Sequence, residues 1–144
     1  MIRPRKAVRS AASVALVAAT ALVLFGCSAQ AQSGKPIDDY AGGPKGVRAP
    51  GGADLEPFAS WLDHGDQIAL TLYGSSGCPP VGESMRVRSS NSLVVELVPI
   101  APDKACTADY APHTTVFATP SDVTTTSDVS ILVDDQSITL PAMR

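Results

Sequence analysis

Residues 58–144 predict an all-β domain, a small antiparallel β-sandwich or barrel of about seven short strands. Three observations carry that prediction. Apolar and polar residues alternate with period 2 in one short segment after another, which is the strand signal. Turn residues separate those segments, and prolines stand at 79, 80, 99, 102, 112, 120 and 141. No amphipathic stretch of ten or more residues has helical spacing. Short strands with regular turn signals suit a sandwich or barrel.

Taken in order, "FASWLD" opens the domain as a first strand, with one helical turn carrying Trp61 and Leu62 as the competing local form. "DHGD" at 63–66 is a turn. "QIALTLY" sets Ile68, Leu70 and Leu72 on one face and Thr71 and Tyr73 on the other. "SMRVRS" sets Met85 and Val87 opposite Arg86 and Arg88. After the polar turn "SSNS", "LVVELV" places Leu93, Val95 and Leu97 on one side and Glu96 opposite. "TTVFAT" centres on Val116 and Phe117. "VSILVD" offers Val129, Ile131 and Val133. Asp134, Asp135 and Gln136 turn the chain, and "SITL" ends it with Ile138 and Leu140.

The first 26 residues have a different character. Arg3, Arg5, Lys6 and Arg9 precede an uncharged run from Ala11 to Phe25, and Gly26 follows. A basic start, an apolar run and a small residue form the layout of a secretory signal peptide. A spanning helix needs about 20 apolar residues, and this alanine-rich run is shorter. The whole chain holds 11 basic and 14 acidic residues, and the four leader cations leave 7 basic against 14 acidic, a net charge of −7. A chain so acidic, with no Lys/Arg run, is not built to neutralise phosphates, so nucleic acid is not an expected partner.

"LFGC" at 24–27 resembles the lipobox of bacterial lipoproteins. Leu24 matches the aliphatic position, Gly26 the small residue, and Cys27 the modified cysteine; Phe25 stands where a smaller residue is usual. The resemblance implies a diacylglyceryl thioether on Cys27 and cleavage between Gly26 and Cys27. Two acyl chains hold a protein stably on a bilayer where one holds marginally. The implied location is the extracytoplasmic face of the cell membrane, with the membrane as partner through the lipid. Residues 28–57 are dominated by Gly, Pro, Ala, Ser and Gln. Such a stretch buries little apolar surface, so 27–57 reads as a lipidated N-terminus and flexible, disordered tether. Asp38, Asp39, Lys45 and Arg48 read as solvating charges on it.

The cysteines are three: Cys27, Cys78 and Cys106. With Cys27 spent on lipid, an exported domain is expected to join Cys78 to Cys106. The rival is a metal site drawn from Cys78, Cys106, His64 and His113, but no two of these have close ligand spacing. Both histidines read as surface residues. Ser75 and Ser76 in "YGSSGC" raise a hydrolase alternative. The Gly-x-Ser-x-Gly spacing is missing, however, and Pro79 and Pro80 forbid a helix directly after. Asp134 and Asp135 read as a hairpin turn. Trp61, Tyr73, Tyr110 and Phe117 are candidates to line a ligand groove, but with so few aromatics they read as core. No motif calls for a cofactor. Trp61, "GSSGCPP" at 74–80 and "CTADYAP" at 106–112 also look like a group of small actinobacterial lipoproteins and secreted proteins. That likeness supports the Cys78–Cys106 pairing and brings no activity with it. The expectation is a monomeric, non-catalytic binding or structural domain at the cell envelope.

Overall fold

The computed structural model describes residues 33–49 and 55–144. The leader, Gly26 and Cys27 lie outside the described residues. Among the described residues nine strands form two sheets: β1 (Ser33–Gly34), β2 (Pro36–Ala41), β3 (Phe58–Leu62), β4 (Gln67–Gly74), β5 (Gly82–Ser89), β6 (Ser92–Leu97), β7 (Ala111–Ala118), β8 (Val129–Val133) and β9 (Gln136–Leu140). One sheet runs β1-β5-β6-β8-β9 and the other β2-β7-β4-β3. The seven segments expected after residue 57 are all strands, and "DHG" at 63–65 is one 3-10 turn. Among the described residues no helix is long and apolar enough to cross a membrane.

The core lies between the sheets. Ala59, Ile68, Leu70, Leu72 and Phe117 come from the four-stranded sheet. Met85, Leu93, Val95, Val129, Ile131, Val133, Ile138 and Leu140 come from the other. Each of the larger of these side chains contributes about 1.5–3 kcal/mol when fully buried. The period-2 reading therefore chose the inward faces correctly. The inward face also carries Thr115, whose Oγ1 accepts the Gly82 N–H at 2.9 Å and ties β7 to the start of β5. Gly82 must stay small: a Cβ there would lie 2.7 Å from Phe117 Cζ.

Two features correct the sequence reading. First, residues 33–49 are not tether. β2 pairs antiparallel with β7, Tyr40 opposite Thr114, and β1 pairs with β5. Residues 42–45 then lie over the outer face of the four-stranded sheet. Thr114 Oγ1 donates to Gly42 O at 2.7 Å, Pro44 is buried, and Gly43 lies against the Phe58 ring. Ala69, Thr71, Thr114 and Val116, on the face away from the core, are consequently buried as well. Composition hides this because backbone pairing supplies the ordering that the side chains do not. Second, the sandwich is not wholly antiparallel: β6 and β8 run parallel, Leu93 opposite Ile131. A parallel pair needs a crossover, and here the chain visits the opposite sheet as β7 before returning.

Both sides of the sandwich are drawn together. On one side β1 and β2 pass directly from the first sheet to the second. On the other, Trp61 Nε1–H donates to Pro141 O at 2.7 Å, joining the β3 edge to the chain leaving β9. The two ends differ. One carries the β5–β6 turn and the 119–128 loop, locked by Asn91. Its amide donates to Thr124 O and Ser127 O, and its Oδ1 accepts the Thr124 N–H at 2.9 Å. The opposite end carries the disulfide.

Candidate functional site

The disulfide end is built by the loops after β4 and after β6. β4 stops at Gly74 because Ser75 and Cys78 close a tight turn, with the Cys78 N–H donating to Ser75 O at 3.1 Å. Cys78 is bonded to Cys106, with their Cα atoms 5.3 Å apart, as the cysteine arithmetic expects. That bond pins the exposed 98–110 segment to the end of a central strand. Closing a loop of this length contributes about 3.6 kcal/mol in the chain-entropy account.

Beside the disulfide sits a polar knot. Thr107 Oγ1 accepts the Gly77 N–H at 2.9 Å and lies 2.8 Å from Ser75 Oγ. The Asp109 carboxylate accepts the Ser76 N–H at 2.9 Å and the Thr107 hydroxyl. Hydrogen bonds from Ser76, then from Thr107, hold the Asp109 carboxyl at about 2, below its ordinary 3.8. Donors aimed at the ionised form stabilise it.

Ser75 and Ser76 are thus brought to Thr107 and Asp109. Neither has a histidine among its hydrogen-bond partners in the described residues. His113 lies on β7 and, contrary to the surface reading, is nearly buried: Nε2 is 3.1 Å from Asp39 Oδ1. Asp39 is therefore no free solvating charge. His64 does stand exposed, in the 3-10 turn, 3.8 Å from Asp63. The two cysteines of the metal alternative are consumed by their bond. Among the described residues no three His, Cys, Asp or Glu side chains converge to hold a metal.

The four aromatic residues separate in role. Phe117 is core, and Trp61 packs half-buried against it. Tyr73 and Tyr110 instead stack with ring centroids 5.5 Å apart and planes inclined by 26°. Tyr110 is 57% exposed. The pair lines an open cleft of about 520 Å³ at the disulfide end, with Leu72 and Leu97 at its floor and Asp134, Asp135 and Gln136 on its rim. Asp134 takes φ 49° in the β8–β9 turn, as an Asp readily does in a tight hairpin. Of the two sequence readings for Tyr73 and Tyr110, a ligand groove and the core, the cleft favours the groove. The signal against the core was at hand: Tyr73 falls on the outward phase of β4, and Tyr110 sits in a Pro/Ala loop. A second cleft lies beneath residues 44–45, lined by Asp38, Tyr40, Pro44 and Leu62. Burial first, and the Asp38 charge second, raise the Tyr40 hydroxyl above its ordinary value.

No family model, curated protein or solved structure matches the chain.

Proposed function

We propose that this chain is a lipid-anchored extracytoplasmic lipoprotein whose β domain binds a ligand, without catalysis, in the Tyr73–Tyr110 cleft. The stacked pair beside Asp134 and Asp135 is the observation that carries the binding role. Phenol faces and carboxylates attract cations, and the net charge of −7 after the leader acts in the same direction. The favoured ligand therefore bears a guanidinium or ammonium group next to an apolar surface. The lipobox-like "LFGC" supports the anchor, and the Cys78–Cys106 bond suits an oxidising compartment.

Two measurements test the reading. Cys27→Ala is expected to release the protein from the membrane fraction or leave it unprocessed; a variant that stays membrane-bound at mature size removes the anchor. Acetyl-arginine amide, titrated at millimolar concentration, is expected to shift the NMR signals of Tyr110 and Gln136 in the wild type and not in Tyr110→Ala. Equal response in both proteins, or none, removes the cleft. Labelling of Ser75 or Ser76 by a fluorophosphonate probe would overturn the non-catalytic role and favour the hydrolase.

A further inference from the structure

We propose that the β5–β6 turn and 119–128 loop end of the sandwich stands against the lipid headgroups, so that the Tyr73–Tyr110 cleft opens away from the bilayer. The inference rests on lipidation of Cys27 and adds to it an orientation.

Chain length makes the anchor short. Because the described fold begins at Ser33, at most residues 28–32 lie between it and Cys27. Six Cα steps reach about 20 Å when fully extended. A tether running to residue 57 would let the domain tumble freely; one of five residues does not.

Register makes the anchor directional. Ser33 pairs with Arg86 and Gly34 with Met85, antiparallel. Followed backwards from Ser33, the chain leaves β1 in the direction in which β5 proceeds through Arg88 to its turn. The partner strands agree: β8 starts at that end, where the Ser130 N–H donates to Asn91 O, and β4 starts there beside Gly65. β4 then runs eight residues to Gly74 at the cleft end, about 26 Å at strand rise. The cleft is therefore a full strand length from the point of attachment.

The surface at the attached end fits a headgroup layer. It presents exposed Ser89, Ser90, Thr124 and Ser127, which exchange hydrogen bonds readily, with Arg88 exposed beside them. Arg86 is offset by Glu96 at 3.4 Å, and Asp122 and Asp128 stand in the neighbouring loop. Asp63 and Asp66 of the turn before β4 stand at the same end and leave it acidic, so the tether rather than adsorption holds this end down.

Met143 and Tyr110 report on the two ends. Met143 belongs to the attached end, its N–H donating to Thr125 O, and it is 39% exposed; Tyr110 is at the cleft. The mature lipidated protein, made from the full chain, is reconstituted into phosphatidylcholine/phosphatidylglycerol vesicles and footprinted with hydroxyl radicals. Met143 oxidation is expected to fall severalfold against the unlipidated Cys27→Ala protein made without residues 1–26 and free in solution, while Tyr110 oxidation holds. A roughly 20-residue Gly/Ser spacer after Ser28, adding about 25 Å of reach, is expected to restore Met143 oxidation on vesicles. Flotation with vesicles but equal Met143 oxidation, or shielding of Tyr110 instead, overturns the orientation and leaves the anchor standing. Failure to float overturns both.

Discussion

Asp109 shows how much one exposed carboxylate can organise. It gathers the Ser76 N–H and the Thr107 hydroxyl beside the disulfide, and its carboxyl is held at about 2. A pKa below the unfolded value means that the ionised form favours the fold. Its contribution is complete above the ordinary 3.8 and disappears as pH falls toward 2. NMR titration of the Asp109 carboxyl carbon is expected to give a midpoint well under 3.8; a midpoint at or above it would mean the knot does not form in solution. Gly82 makes a second residue-scale prediction. The position lacks room for a methyl because Phe117 Cζ is in the way. Gly82→Ala is expected to destabilise by about 1–3 kcal/mol, the usual cost of overpacking, read from the urea midpoint. No change there would place slack in the core around Phe117.

At the scale of elements, the N-terminal strands are the part composition concealed. β2 is an edge strand containing Pro36, Asp38 and Asp39, the chemistry by which edges resist further pairing. Its hydrophobic pattern is weak because only one neighbour and one shallow face order it. Removing residues 28–49 is expected to strip the cover from Thr71, Thr114, Val116 and Phe58 and to lower Tm by more than 10 °C, or to prevent folding. Unchanged melting of that truncation would restore 28–57 as a tether. The seven later strands were legible because each presents an apolar row to a single core, Ile68-Leu70-Leu72 most plainly. The parallel β6–β8 pairing was not legible, since alternation says which face is inward and nothing about which neighbour is chosen. The cleft was half legible: its residues were noticed as aromatic, but few aromatics in a small domain read as core until the sheet places them at its end.

Over the whole molecule, the sheets share so many ties that they should not separate. The 33–41 run joins both on one side and the Trp61–Pro141 bond joins them on the other. Unfolding followed by the single tryptophan and by far-UV circular dichroism is expected to give coincident urea transitions, the mark of two-state behaviour. Separate midpoints would show the sheets melting independently. Reduction of Cys78–Cys106, or its replacement by alanines, is expected to cost about 3.6 kcal/mol while leaving that coincidence intact. A loss near zero would mean that the Thr107–Asp109 knot alone holds the loop.

The pairing of β2 with β7 has a consequence in time. Pro36 waits for Phe117 and Tyr40 for Thr114, partners made some eighty residues later. A chain delivered N-terminus first presents β2 long before its partner β7 exists to receive it. β2 therefore stays unpaired until β7 has arrived, with only β8 and β9 still to come.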